Sequence, residues 1–441
     1  MRGQRTSPKL RRMNRVLIAT MPAAGHVGPL VPLARELVRR GHVVAWYTGA
    51  AYREKVEAAG AVLHPHVHAP DRDVAAMDAQ YPERARLKGI AKFKFDIREV
   101  FIAAVPGQVA DLEDLLDEVR PDVIVAEPGM AAAASVIEHR HGIPWATCGI
   151  SAFAMKSEDT APFGLGLRPA ATPLGRARDR LLHKLVDRTL YRDVDRDYRA
   201  MRATLGLPPT NDGVFEATLS PHLYIQPTVP SFEYPRRDLA PQVRFVGPLL
   251  PSAPAEFEPP RWWNEMQLDG RPVVLVTQGT VATDPRELLL PALEALRDEP
   301  VQVIAVTGGP DPADLPAAPE NARVERFVPF AALMPHVSAM VTNGGYGGLH
   351  YALAHGVPLV VAGASEEKPE LVARVNWSGV GIGMRTQRPS PSRLRRAVRS
   401  VLDEPSYTAR ALQLQAEMAG HDGPALAADL VEGLVRTAVP S

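Results

Sequence analysis

The sequence predicts an α/β protein made of two Rossmann-like, doubly wound domains that face each other across a cleft. Short apolar runs rich in β-branched residues alternate with longer amphipathic stretches, a pattern typical of parallel strands joined by crossover helices. This alternation occurs twice, on either side of a proline-rich segment. The chain has 441 residues, enough for two or three domains with sizeable cores.

The first series of elements begins close to the N-terminus. Apolar side chains recur at helical spacing within residues 28–40, and Gly41 is placed to end that helix. Another helical run covers residues 109–119. The candidate strands are residues 16–20, 42–47, 122–126 and 144–148.

The second series follows a segment, residues 248–260, that contains too much proline to lie inside a sheet or helix. Its candidate strands are residues 273–277, 301–307, 339–342 and 357–362. We therefore predict a flexible tail at residues 1–13, a first domain at 14–235, a linker at 236–260 and a second domain at 261–441, whose last helix could pack back on the first domain.

Composition excludes several classes of function. Lys plus Arg and Asp plus Glu are 50 each, so no overall basic field attracts nucleic acid or an anionic membrane. Cys148 is the single cysteine, which excludes an internal disulfide framework and fits a reducing cytoplasm. No stretch approaches the roughly 20 apolar residues that span a bilayer. The expectation is a cytoplasmic protein without stable membrane anchoring and without a nucleic-acid partner.

A glycine-rich loop in the second domain has the features of a phosphate site. Residues 343–348, Asn-Gly-Gly-Tyr-Gly-Gly, follow a strand and lead into a helical stretch at 349–354. Glycine lets backbone amides approach a ligand, and a helix N-terminus favours an anion. A second loop, with Gly279 and Thr280, could present an amide and a hydroxyl to the same phosphates. The alternative is that both loops are ordinary turns.

In the first domain, His26 lies in the loop that follows the first strand. The carboxyl ends of parallel strands face the cleft, and a neutral imidazole can accept a proton near pH 7. Glu127, at the end of another strand, is the best-placed carboxylate to orient the ring. Helix capping or a solvent contact is the alternative role for this histidine.

Three further histidines could in principle bind zinc. His64, His66 and His68 alternate and would share one face of a strand, a spacing that can hold that metal. No cysteine lies nearby and Pro65 interrupts the series, so the sequence favours no metal site.

Together these segments resemble the sugar-nucleotide-dependent glycosyltransferases of the GT-B fold, in particular the natural-product branch that includes macrolide and plant secondary-metabolite enzymes. The resemblance covers nearly the whole chain from Asn14 onward. Its marks are the stretches 25–34, 326–330, 343–348, 352–358, 366–370 and 373–375.

The resemblance implies a role for each matching residue. His26 would be the catalytic base and Glu127 its orienting partner. In the donor site, Phe327 would stack on the nucleotide base, and backbone groups at Val328 would read the base edge. Glu367 and Lys368 would contact the sugar hydroxyls. The residues implied for the diphosphate are Gly279, Thr280, Asn343, Gly344, Gly345, Gly347 and Gly348.

Five positions depart from the family pattern. Asn343 stands where the family has a phosphate-binding histidine, Gly348 lies where a Ser/Thr pair begins, and Tyr351 replaces a ribose-binding glutamate. Lys368 replaces an amide, and Glu127 is one methylene longer than the usual aspartate. Weaker contacts to the phosphates, and hence a modest donor affinity, are expected.

The predicted function is metal-independent, inverting transfer of a hexosyl group from a UDP- or dTDP-sugar to a hydroxyl of a lipophilic small molecule, with no cofactor besides this co-substrate. Apolar side chains after strand ends, Phe153, Met155 and Phe163, are candidates for the acceptor pocket, although core packing also fits them. A nucleotide-sugar epimerase of the same fold and a non-catalytic sugar-nucleotide-binding protein are the alternatives. The sequence leaves the oligomeric state open.

Overall fold

The computed structural model describes residues 13–71, 77–252, 257–279 and 284–438. Within these residues it contains two sheets whose strands all pair in parallel. The first sheet has the order β3-β2-β1-β4-β5-β6-β7 and the second β10-β9-β8-β11-β12-β13. The strands are β1 (Arg15–Ala19), β2 (Val43–Thr48), β3 (Val62–Pro65), β4 (Val123–Ala126), β5 (Trp145–Cys148), β6 (Leu223–Gln226), β7 (Val243–Phe245), β8 (Val273–Thr277), β9 (Gln302–Val306), β10 (Ala322–Glu325), β11 (Ala339–Thr342), β12 (Leu359–Ala362) and β13 (Gly381–Met384).

Helices connect the strands and cover both faces of each sheet. They are α1 (Ala24–Val27), α2 (Val31–Arg39), α3 (Arg53–Glu57), α4 (Met77–Gln80), α5 (Pro82–Arg86), α6 (Gly89–Phe95), α7 (Val105–Val119), α8 (Ala131–His141), α9 (Pro173–Thr189), α10 (Arg192–Thr204), α11 (Trp263–Asp269), α12 (Leu289–Leu296), α13 (Phe330–Leu333), α14 (Tyr346–Ala354), α15 (Lys368–Ser378), α16 (Pro391–Asp403), α17 (Pro405–Ala419) and α18 (Gly423–Ala438). No described helix is long and apolar enough to cross a membrane.

Each sheet is buried on both faces, as the continuous apolar runs of the strands predict. Along β1, Val16 and Ile18 belong to the core on one face, and Leu17 and Ala19 belong to the core on the other. The strands of the second sheet alternate in the same way between two further cores. The predicted class, two parallel α/β domains, is therefore confirmed.

The topology places a crevice at the same point of both sheets. In the first sheet the chain turns to the opposite side between β1 and β4, where Ala19 pairs with Ala126. In the second it does so between β8 and β11, where Thr277 pairs with Thr342. Loops at the carboxyl ends of such strand pairs are the usual ligand sites of open α/β sheets.

The two sheets and their helices form two lobes that contact each other through apolar and polar side chains. The core of the second lobe includes Ala152, Val229 and Phe232 from the first lobe. Helix α18 returns to the first lobe, where Glu432 contacts Arg40 and His42 at 3.0 and 3.1 Å.

The structure differs locally from the elements predicted by sequence. β7 lies within residues 236–260, which the sequence predicted as linker, and pairs with β6. Helix α14 begins at Tyr346 rather than at residue 349, so Gly347 and Gly348 lie in its first turn. Strands β6, β7, β10 and β13 were not among the candidate strands.

Candidate active site

The first half of the site is a histidine–carboxylate pair at the crevice of the first sheet. His26 lies in α1, just after β1, and Glu127 follows β4 directly. Their closest atoms, His26 Nδ1 and Glu127 Oε1, are 3.2 Å apart. Glu127 is fully buried, whereas the His26 side chain is 24% exposed. The Nδ1–H direction is not aligned for a full hydrogen bond, so the attraction is mainly electrostatic.

Backbone amides fix the Glu127 carboxylate independently of the histidine. The Met21 N–H donates to Oε1 at 3.1 Å and the Gly129 N–H to Oε2 at 2.8 Å. A Cβ on Gly129 would lie 2.7 Å from the same carboxylate, so only glycine fits there. The extra methylene of Glu127 relative to aspartate therefore does not prevent its approach to His26.

Charges from both lobes act on His26. Burial lowers its pKa, but the Glu127 carboxylate, with smaller contributions from Glu367 and Glu366, more than compensates and raises the pKa above its ordinary value. Glu366 and Glu367 belong to the second lobe, so carboxylates of both lobes contribute to the pKa of His26. Phe101 stacks beside the His26 ring, with centroids 6.4 Å apart. Sequence reasoning missed Phe101, because nothing distinguishes it from other apolar residues of that region.

The second half of the site is the glycine loop at the crevice of the second sheet. Gly344 has a φ of 95°, which favours glycine. Gly345 is the N-cap residue of α14 and has no side chain that could accept a hydrogen bond. The first N–H groups of the helix therefore lack an N-cap acceptor. A Cβ on Gly345 or Gly347 would meet nothing within 4 Å. The loop therefore offers open space beside the positive end of a helix.

Asn343 connects this loop to the loop after β8. Its Nδ2 donates a short hydrogen bond to the Gln278 carbonyl, and the next residue, Gly279, has a φ of 77°. Thr280 lies outside the described residues. A small pocket beside Asn343 is lined by Gln278, Glu287, Leu288, Asn343, Ala362, Lys368 and Gln387.

Glu367 and Lys368 stand at the start of α15, next to the glycine loop. Lys368 is buried and its Nζ lies 3.0 Å from Glu366 Oε2. Burial, and then the neighbouring Glu366 carboxylate, raise the pKa of Glu367. Sequence reasoning missed Gly363: a Cβ there would lie 2.6 Å from the Asn343 carbonyl and 2.7 Å from the Lys368 Cβ. This glycine lets the loop and α15 approach each other.

Phe327 and Val328 differ in their exposure. Phe327 is 71% exposed, whereas Val328 is buried in the core of the second lobe. Phe327 is thus available for a ligand contact, and Val328 offers only its backbone. Tyr351 donates its hydroxyl to the Pro251 carbonyl and packs edge-on against Phe330, so this departure from the family pattern ties α14 to the segment between the lobes.

The three candidate acceptor residues differ in their exposure. Phe153 and Met155 are 2% and 8% exposed and pack together with Tyr224 and Val243. Core packing, the alternative considered for them, describes these two side chains, because neither is accessible to an acceptor. Phe163 is partly buried and contacts Phe215, with ring centroids 6.0 Å apart.

The described residues contain no group of three or more His, Cys, Asp or Glu side chains able to hold a metal ion. Of the three alternating histidines, only His64 lies in β3. His66 stacks on Tyr47, and His68 pairs with Asp114 at 3.0 Å.

Comparison with known proteins agrees with this architecture. Residues 287–434 match the family model of the C-terminal domain of erythromycin biosynthesis protein CIII-like proteins. Over 422 residues, covering 96% of this chain and 99% of the relative, the sequence is 50% identical to 4'-demethylrebeccamycin synthase of Lentzea aerocolonigenes. UDP-glycosyltransferase 2 of Phaeomoniella chlamydospora is 31% identical over 435 residues, 95% of each protein.

A solved structure shows the same fold. CalG4, the calicheamicin glycosyltransferase, aligns with a TM-score of 0.76 over 97% of this chain and 100% of that chain, at 24% identity. Sequence identity over nearly the full length and the shared two-lobed fold lead to one conclusion: the chain belongs to the natural-product glycosyltransferases of the GT-B fold.

Proposed function

We propose that the enzyme transfers a hexosyl group from a UDP- or dTDP-sugar to a hydroxyl of a lipophilic small molecule, with inversion at the anomeric carbon and His26 as general base. The observation that carries this proposal is the pairing of His26 with the buried Glu127 carboxylate at the carboxyl end of the first sheet. Glu367 and Glu366 of the second lobe also contribute to the raised pKa of His26.

The geometry of the pair supports proton transfer through the ring. Nδ1 is the nitrogen next to Glu127, so the carboxylate favours the tautomer with hydrogen on Nδ1 and the lone pair on Nε2. Nε2 takes the proton of the acceptor hydroxyl while its oxygen attacks the anomeric carbon. The bond to the diphosphate oxygen breaks on the opposite face, and the resulting imidazolium is stabilised by the ionised Glu127.

The donor half supplies positive potential to the leaving diphosphate. The uncapped N-terminus of α14 and the open space at Gly345 and Gly347 follow Gly344, and a Cβ built on Gly344 would lie 3.9 Å from the Lys368 side chain. Preorganised amides and a helix end stabilise charge that develops in the transition state. This arrangement supports a mechanism without a metal ion. The exposed Phe327 ring is available to stack on the nucleotide base.

Aromatic side chains of the first lobe support an apolar acceptor. Phe101 stacks against the catalytic ring, and Phe163 and Phe215 contact each other. All three are only partly buried, so a flat or lipophilic molecule can gain contact area there.

The test compares His26→Ala with a matched surface histidine. His68→Ala removes another histidine–carboxylate pair of the same lobe and should leave turnover unchanged. His26→Ala should lower kcat at least about 100-fold, while nucleotide affinity measured by calorimetry stays within about twofold. The wild-type product should be a β-glycoside by NMR when the donor sugar is α-linked, and chelation of metal ions should not alter the rate. Unchanged turnover in His26→Ala would reject its role as base.

A further inference from the structure

Helix α15, which begins at Lys368, also contacts the first lobe. Glu370, in the first turn of α15, is buried. Its Oε1 accepts hydrogen bonds from the N–H groups of Gly164 and Gly166, at 2.9 and 2.8 Å. A carboxylate of the nucleotide-binding lobe thus holds the backbone of a first-lobe loop.

The same carboxylate belongs to a buried array of charges between the lobes. Glu370 Oε2 accepts from Arg374 Nη1 at 3.0 Å. Arg374 also donates from Nε and Nη2 to the two oxygens of Glu233, at 3.1 and 2.9 Å, and Arg236 approaches Glu233 at 3.6 Å. The two arginines balance the two glutamates, so the array carries no net charge.

The loop is shaped to fit against α15. Gly164 and Gly166 have φ values of 93° and 57°, in the left-handed region that favours glycine. A Cβ on Gly166 would lie 2.5 Å from the Pro369 carbonyl. The loop backbone therefore lies directly on the first turn of α15, and Phe163 stands at its edge.

The loop lies where the two lobes meet, against the first turn of α15. Glu370 lies three residues after Glu367, about 4.5 Å further along the helix axis at the rise of an α-helix. The Glu367 carboxylate contributes to the raised pKa of His26. The backbone that follows Phe163 is therefore held by a residue of the opposite lobe.

From this arrangement we infer that Glu370 is a positioning residue for the acceptor: it fixes residues 163–166 as the wall of the acceptor site when the two lobes are together. The inference rests on the proposed acceptor site. Buried ion pairs contribute little net stability relative to apolar packing, and their best-attested role is to specify one arrangement.

The first experiment uses Glu370→Gln. A glutamine carbonyl can accept from the two glycine amides or from Arg374, but its NH₂ group then faces a donor on the other side. The acceptor KM should rise about tenfold, as expected when roughly one charge-assisted hydrogen bond is lost. The Kd for UDP or dTDP should stay within about twofold of wild type, because the hydrogen-bond partners of Glu370 are Gly164, Gly166 and Arg374, and none of these is proposed to bind the nucleotide. An unchanged acceptor KM would overturn the inference.

A second experiment changes the loop itself instead of Glu370 and compares two glycine variants. Gly166→Ala places a methyl group against Pro369, whereas Gly142→Ala has a similar φ of 70° but no atom within 4 Å of the added Cβ. Both should lower the melting temperature, because both force alanine into the left-handed region. Only Gly166→Ala should also raise the acceptor KM. An equal acceptor KM in the two variants, or a loss of nucleotide affinity in Glu370→Gln, would show a merely structural role.

These outcomes are separate from those that test the base. If His26→Ala retained turnover, the proposed base would be wrong, but the acceptor KM of Glu370→Gln would still report on the loop. If Glu370→Gln had no effect while His26→Ala lost turnover, the base would stand and the positioning role would be rejected.

Discussion

The two crevices of the molecule have the same topology but differ in how many of their polar groups already have partners within the protein. At the first, the Glu127 carboxylate already accepts two backbone N–H groups and contacts His26. At the second, α14 begins without a side-chain cap, and space is open beside Gly345 and Gly347. If His26 is the base and the glycine loop binds the diphosphate, as proposed, the base is held by protein contacts before any ligand binds, whereas the N–H groups of the loop remain available to the ligand.

The largest effect is expected where this internal orientation is removed. Glu127→Gln replaces an ionised acceptor by a neutral amide whose NH₂ group opposes the donors of Met21, Gly129 or His26. The value of kcat should fall about 100- to 1,000-fold, with nucleotide affinity unchanged, as measured by steady-state kinetics and calorimetry.

Asp111→Asn provides the matched control for this variant. Asp111 is another buried carboxylate of the same lobe, and it accepts from the N–H groups of residues 67–69 and from the Tyr47 hydroxyl. Its replacement should lower stability but leave kcat near wild type. Equal losses of kcat in both variants would mean that buried carboxylates act through stability alone.

The second crevice can be blocked without disturbing the fold. Gly347→Ala adds a methyl group in open space within the first turn of α14, where alanine is preferred to glycine by about 0.5–1 kcal/mol. Stability should therefore be unchanged or slightly higher, while the methyl group keeps the diphosphate away from the amides. The Kd for UDP or dTDP should rise about 30-fold, equivalent to roughly two lost hydrogen bonds.

Gly433→Ala, in α18, tests the helix effect alone, because its added Cβ has only the Arg436 guanidinium within 4 Å, at 3.8 Å. It should show the gain in stability without the loss of nucleotide affinity. Undiminished nucleotide affinity in Gly347→Ala would contradict a phosphate site at this helix end.

A smaller effect is expected at the edge of the donor half. Phe327→Ala removes a ring that is 71% exposed, so stability should not change. If the ring stacks on the nucleotide base, the Kd should rise about tenfold, within the range measured for base–aromatic stacking. Leu268→Ala, an 86% exposed apolar residue of the same lobe, should leave the Kd unaltered, as measured by calorimetry with both variants.

Much of the fold and both crevices could be predicted because they depend on local pattern. β8 and β11 were predicted at the bounds observed, since a fully apolar run that ends at a glycine loop is unambiguous. Residues at the carboxyl ends of neighbouring parallel strands must meet, and this placed His26 near Glu127. The family resemblance then supplied their chemical roles.

Contacts between distant segments could not be predicted in this way. Phe153 and Phe163 lie in one apolar segment, yet Phe153 is buried and Phe163 is only partly buried. The difference depends on contacts with Tyr224 and Phe215, which come from elsewhere in the chain. Glu370 and Arg374 look like an ordinary helical pair at spacing i,i+4. Only the packing of the lobes shows that they bind Gly164, Gly166 and Glu233.

The smallest expected effect is a shift of the pH profile of the rate, which reports on the His26–Glu127 pair of the first crevice. His26 must be neutral to act as a base. Burial lowers its pKa, but Glu127, with smaller contributions from Glu367 and Glu366, raises the pKa above the ordinary value. The value of kcat/KM should therefore fall, about tenfold per pH unit, as pH drops below that raised pKa. In Glu127→Gln the main charge that raises the His26 pKa is absent while burial remains, so the acidic limb of the rate profile should move to lower pH.

Stability should respond to pH in the opposite sense. A histidine whose pKa is raised in the folded state stabilises the fold at a pH below its unfolded-state pKa, and this contribution is lost as the pH rises through the folded-state pKa. Rate and melting profiles between about pH 5 and 9 measure both trends, and an acidic limb at the same pH in both proteins would show that another group controls it.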